Sequence, residues 1–229
     1  MRRCLVGIAL LTVVGMLLCG CQGQEASQPT EPVGPVTTSV PVTPPGEKTF
    51  QDVEGVRRVA VALPWESQPN GRKVGQDFVN AAGQAVLVET SPALDEVVQH
   101  TVASAFKQLG FNVTLAPAIA MTGETDLGTE LERYQSDYLT VVKIGQFLFQ
   151  AGTAPGTPVF GGATMQVEVY NKDGLVTVIP VQVTGGWQTT GRATTDDFRK
   201  DAEALLEQVR QQMVANAVLR QAMGLPASP

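Results

Sequence analysis

Between Met165 and Thr184 the sequence leaves little choice of structure. Met165, Val167 and Val169 alternate with Gln166 and Glu168, the period-2 pattern of a strand with one apolar and one wet face. Asn171-Lys172-Asp173-Gly174 breaks the alternation with a hairpin turn. Leu175 to Thr184 then returns, and Gly185-Gly186 reads as a bulge or bend before Trp187. The apolar face of such a hairpin needs a cover.

Two amphipathic stretches supply it. Ser91 reads as an N-cap, Pro92 as the first helical residue, and Asp95 and Glu96 as first-turn acids. Leu94, Val97, Val98, Thr101, Val102, Ala105, Phe106 and Leu109 follow at helical spacing, and Gly110 ends the run. The second stretch opens with a capping box, Thr194 with Asp197, and is expected to continue to Met223 before Gly224-Leu225-Pro226. Phe198, Ala202, Leu205, Leu206, Val209, Met213 and Ala217 form its stripe. Further strands are expected over 56–63, 84–90, 111–115 and 138–150, with a short helix over 129–137 carrying Leu131 and Tyr134. The class expected is α/β of the α+β type. A mainly antiparallel sheet of about five to six strands would carry the two main helices on one face, in a single domain over 51–224 with a tail at 225–229.

The first 20 residues are organised differently. Arg2 and Arg3 precede an apolar run from Cys4 to Leu18, shorter than the roughly 20 residues that span a bilayer. A charged start, an apolar centre and a small-residue end form a secretory signal peptide. Its end, Leu18-Cys19-Gly20-Cys21, resembles the lipobox of bacterial lipoproteins. The resemblance implies lipidation of Cys21 and cleavage before it; Cys19 is no acceptor, because Leu18 would occupy the small-residue position. Gln22, rather than Asp, follows the cysteine, and by resemblance to enterobacterial lipoproteins this favours the outer membrane. Residues 21–50 hold prolines at 29, 32, 35, 41, 44 and 45 and no aromatic before Phe50. Such a stretch is expected to be a disordered, extended tether. Pro29-Thr30-Glu31-Pro32 is a formal PxxP match inside it.

Composition narrows the chemistry. The three cysteines are Cys4, Cys19 and Cys21, so after processing no thiol pair is left for a disulfide, a cysteine-based metal site or a thiol nucleophile. Without Arg2 and Arg3, 14 of the 16 basic residues face 22 acidic ones, and an acidic surface repels nucleic acid and anionic headgroups. Membrane attachment is therefore expected through acyl chains on Cys21. His100 is the single histidine; it reads as a solvated surface residue, since one imidazole forms neither a triad nor a zinc site. Glu124, Asp126, Glu130 and Glu132 lack the spacing of a calcium loop and read as a solvated helix face. Gly161-Gly162 and Gly185-Gly186 lack the frame of a phosphate cradle and read as bends, and the serines lack a GxSxG setting. Asn112-Val113-Thr114 is a sequon on an expected strand and is discounted. No catalytic residue, metal ligand or cofactor site is assigned. Trp65, Trp187 and Phe160, at expected strand ends, are the candidates for a partner surface.

The stretches from Val88 through Thr114, from Ala163 through Gly186, and from Asp196 through Met213 resemble, in order and spacing, the YajG-like family of bacterial lipoproteins. That resemblance implies an outer-membrane-anchored periplasmic lipoprotein and supplies no catalytic residues. The strand–helix–strand unit followed by Ser136–Phe147 also looks like the small α/β domains of envelope assembly lipoproteins, namely peptidoglycan-synthase activators and auxiliary lipoproteins of lipid transport. The expectation is a non-enzymatic, membrane-anchored periplasmic module that binds an envelope protein. The alternative is a lipid- or glycan-binding accessory lipoprotein, and an envelope hydrolase ranks third for want of a nucleophile–base pair.

Overall fold

The computed structural model describes residues 36–46, 49–66, 73–79, 84–122, 125–151, 156, 158–188, 191 and 193–226. The signal segment, Cys21 and the PxxP match lie outside the described residues.

The spine of the sheet is three long antiparallel strands, β7 (Tyr138–Ala151), β8 (Pro158–Asn171) and β9 (Gly174–Gln188). The hairpin read from the sequence is β8–β9; Asn171 faces Gly174, which takes φ +126° in the turn. On its other side β7 is long enough to pair with three separate strands. Near its start it pairs with β2 (Arg58–Ala62), which pairs in turn with β6 (Asn112–Ala116). Its middle meets β3 (Trp65–Glu66), and its end meets β4 (Lys73–Val79). β4 continues to β5 (Ala85–Ser91) and β1 (Val36–Pro41). The antiparallel ladders are the long ones, and most of the short ladders are parallel.

The α+β class is as expected, but the sheet is wider, with nine strands among the described residues. One added strand overturns an expected boundary. Residues 36–41, expected to be part of the tether, pair in parallel with β5, and Val40 and Val42 are buried in the main core. Proline content argued for disorder, but the Val-Thr-Thr-Ser-Val run before Pro41 has strand propensity and a place to dock. Pro41 stands at the end of an outermost strand, where a missing donor is tolerated.

The two main helices, α1 (Leu94–Gln108) and α3 (Thr195–Ala215), cover one face. Val97, Val98, Val102 and Phe106 of α1, and Phe198, Leu205, Leu206 and Val209 of α3, form one core with the inward residues of β2, β5, β7, β8 and β9. α3 opens with the expected capping box: Thr194 N donates to Asp197 Oδ2 at 2.8 Å, and Asp197 N to Thr194 Oγ1 at 3.2 Å. The N-cap of α1 is Ala93, not Ser91, which is the last residue of β5. The last helix is also interrupted: Asn216 ends α3, and its side chain caps α4 (Ala217–Ala222) through Leu219 N at 2.9 Å.

The other face of the sheet holds a smaller core. Ala60, Ala62, Leu139 and Val141 lie between the residues that point to α1 and α3, and they meet Leu131 of α2 (Leu127–Arg133). The loop after β6 contributes Ile119 and Met121.

Candidate functional site

On this second face the polar side of β8 is not uniformly wet. Gln166 is exposed, but Glu168 is 5% exposed. Its Oε1 accepts from Lys143 Nζ at 2.6 Å and Gln166 Nε2 at 2.8 Å, and its Oε2 from Tyr170 OH at 2.7 Å. β7–β8 register explains the set: Lys143 faces Gln166, and Val141 faces Glu168, so a long Lys143 side chain reaches the carboxylate diagonally. Burial pushes the Glu168 carboxyl up, but the donors Lys143, Tyr170 and Gln166 outweigh it and hold it below the ordinary range. Burial and the neighbouring carboxylate push the Tyr170 phenol up to about 12. Near neutral pH neither group exchanges a proton, so the cluster is a fixed, compensated charge set rather than an acid–base pair. The alternation of Gln166 and Glu168 was visible in the sequence; Tyr170 and the partner on β7 needed the structure.

Beside Lys143 lies a groove of about 210 Å³, lined by Ile119, Ala120, Met121, Thr122 and Val141. A wider hollow of about 510 Å³ opens between Arg57, Gln135, Ser136, Tyr138, Asn171 and Asp173. Arg57 lies 5.3 Å from the centre of the Phe111 ring and 5.8 Å from that of Tyr138, and donates to Tyr138 OH at 3.0 Å.

The expected partner residues take separate register positions in the sheet. Trp65 stands opposite Lys143, midway along β7, whereas Phe160 stands opposite Gln150 near its end. Trp187 takes the register position opposite buried Val159, and Phe160 the next one, on the other face. The Trp65 and Trp187 side chains lie outside the described residues. Phe160 is 62% exposed.

Other residues singled out above have structural employment. His100 is not on open surface: it is half-buried and stacks on Phe50 at 6.2 Å. Asp126 caps α2, accepting from Gly128 N at 3.0 Å and Thr129 Oγ1 at 2.7 Å; the Thr129 bonds hold its carboxyl below the ordinary range. Glu130 faces Arg133 at 4.0 Å, and Glu124 lies outside the described residues. Asn112 is buried and clamps the turn before β2, accepting from Val53 N at 2.8 Å and donating to Val53 O at 2.7 Å. Gln99, not flagged by the sequence because it lies within an apolar helix, donates to Val61 O at 2.8 Å and Ala116 O at 2.7 Å, tying α1 to the ends of β2 and β6. Among the described residues there is no group of three or more His, Cys, Asp or Glu that could hold a metal ion. No described helix is long and apolar enough to cross a membrane.

No family model matches the chain, and no curated protein does. Solved structures do. Protein XCC0632 from Xanthomonas campestris, of the DUF330 family, aligns over 82% of this chain and 98% of its own, with 14% identity and a TM-score of 0.50. That likeness shows a shared fold. A minor lipoprotein from Acinetobacter baumannii aligns over 70% of this chain and 92% of its own (8% identity, TM-score 0.34). Lipoprotein GNA1162 from Neisseria meningitidis aligns over 71% and 98% (11% identity, TM-score 0.32).

Proposed function

We propose that the protein is a lipoprotein of the bacterial envelope, anchored through lipid on Cys21 in the outer membrane and facing the periplasm, whose domain binds an envelope protein without catalysing a reaction. The observation that carries this reading is the lipobox Leu18-Cys19-Gly20-Cys21 ahead of a domain whose best-formed polar cluster is a compensated, proton-retaining set. The YajG-like order of strands and helices supports it. The anchor is tested by feeding a palmitate analogue: wild type is labelled and membrane-bound, and Cys21→Ala is neither. Equal labelling of the two sinks it. The domain's role is tested by in-cell crosslinking with mass spectrometry; recovery of no envelope protein above background counts against it.

A second reading, a lipid-binding accessory lipoprotein, is favoured by the groove between Met121, Ile119 and Val141 with the Lys143 ammonium at its rim. It predicts that a fluorescent fatty acid binds the soluble domain and that Val141→Trp, which fills the groove, displaces it.

A further inference from the structure

We propose that the free edge of β9 between Val181 and Gln188 accepts an extended segment of a partner protein as an added strand, with an aromatic or aliphatic side chain of that segment seated on Phe160 across Gly186. This names the surface and the kind of partner for the binding role above, and rests on that reading.

Among the described residues β9 pairs with β8 alone, so its other side offers backbone N–H and C=O groups with no strand to take them. Edges of this kind are ordinarily guarded by charge, by proline or by shortness. Gly174–Gln188 is 15 residues long and contains no Asp, Glu, Lys or Arg. Its guard is Pro180, opposite Gln166. Proline has no N–H to give β8, so this is a position whose backbone faces away from β8. By the same parity the backbones of Gln182, Thr184 and Gly186 face outward. Pro180 thus closes the middle of the edge and leaves three successive outward residues open beyond it.

Phe160 supplies the anchor. It points away from the α1–α3 face and is largely exposed, and a Cβ built on Gly186, its cross-strand partner, would lie 3.2 Å from its ring. The ring therefore leans over a residue with no side chain, toward the free edge. A strand added there sets one side chain opposite Gly186 on the same face. An apolar group in that place covers the ring, and a charged one loses water without gaining a partner.

A second copy fits poorly. Two β9 strands paired antiparallel about a two-fold axis set Gln182, Thr184, Gly186 or Pro180 of the copy against Gly186. A valine of the copy reaches that place only in registers that bring Pro180 into the new ladder, where it forfeits a hydrogen bond.

The experiment uses the full lipid-anchored chain in its own cells, with a photo-crosslinking residue at Gln182, at Thr184 or, as a control at the far end of the hairpin, at Lys172. The expected result is one partner captured from both edge positions, through a single contiguous, uncharged stretch of its chain that contains an aromatic or aliphatic residue. Phe160→Ala should lower both yields about tenfold, as loss of an aromatic anchor does, and Thr184→Pro should abolish capture from Gln182. Thr184→Lys serves if the proline variant does not fold. Adducts of two copies, adducts through a charged segment, edge yields unchanged by Phe160→Ala, or no edge adduct each overturn the proposal. Capture of an envelope protein from Lys172 alone overturns the edge while leaving the partner-binding reading standing; no capture from any position overturns both.

Discussion

The ring of Phe149 lies directly over Gly161, its partner across the β7–β8 ladder, so that a Cβ at position 161 would sit 2.3 Å from the ring carbon Cδ1. The glycine is a seat for the ring. Phe149 is fully buried, edge-on to Phe147 at 5.7 Å and to Phe198 of α3 at 6.3 Å between centroids, so it has nowhere to retreat. Gly161→Ala should cost about 2–3 kcal/mol by overpacking, read as a lower urea midpoint with an unchanged slope. Gly186→Ala meets the exposed ring of Phe160 at 3.2 Å, which can swing into solvent, and Val159 O at an ordinary van der Waals 3.5 Å, and should cost under about 1 kcal/mol in the same experiment. Equal losses would show that the Phe149 ring does not depend on the space left at Gly161.

The second prediction concerns where the domain begins. A chain starting at Gly34 retains β1, and one starting at Glu47 loses it. Val40→Ala in the longer chain should cost about 2 kcal/mol, the usual range for truncating a fully buried valine. The shorter chain should unfold at a lower temperature than the Val40→Ala variant, because it loses Val42 and the β1–β5 ladder as well. Identical melting of the two chains would return residues 36–46 to the tether.

How much was legible in the sequence follows from where the constraints act. The β8–β9 hairpin, both helical stripes apart from Ala217, which is exposed at the start of α4, and the Thr194–Asp197 box depend on residues close together in the chain, and each was readable. The fork of the sheet at β7 was not, because nothing in Tyr138–Ala151 says that three different strands will share one side of it. Val40 was hidden by the six surrounding prolines, and its partner, Thr90, lies fifty residues away. At the site the same division holds. Gln166 and Glu168 announced a polar face by their alternation, whereas Tyr170 joins them only in the folded strand and Lys143 enters through long-range register. His100 was read as open surface because its cover, Phe50, comes from the segment expected to be tether.

The third prediction tests the Lys143–Glu168 pair. Lys143→Met leaves a buried carboxylate with two neutral donors and should cost about 2 kcal/mol at pH 7, less than a fully buried pair because the lysine is part-exposed. Adding Glu168→Leu removes the uncompensated charge, so the double variant should be more stable than Lys143→Met alone. Since folding lowers the Glu168 pKa, its stabilising contribution is complete above the unfolded value of about 4.3 and fades as pH falls through the lower folded value. Wild type should therefore lose stability below about pH 4 more steeply than the double variant. A double variant no more stable than the single lysine variant would sink this account.

Asp201 on α3 titrates in the opposite sense. Burial, reinforced by the Asp197 carboxylate one turn earlier and only partly offset by Lys200, pushes its carboxyl up to about 7. Asp197 is held in place by the cap, accepting from Thr194 Oγ1 at 2.6 Å, so the repulsion is built into the helix start. An acid with a raised folded pKa favours the folded state while protonated. Its contribution is whole below the unfolded value of about 3.9, declines as pH rises through the folded value near 7, and is constant above that. Asp201→Asn removes the decline. Relative to wild type the variant should gain stability between pH 5 and pH 8, by about 1 kcal/mol or less because solvent screens a part-exposed group. Thermal melts of the two proteins across this range, at constant ionic strength, read the difference directly. Parallel curves would mean that Asp201 is ionised throughout and that the charge of Asp197 is not felt across the turn.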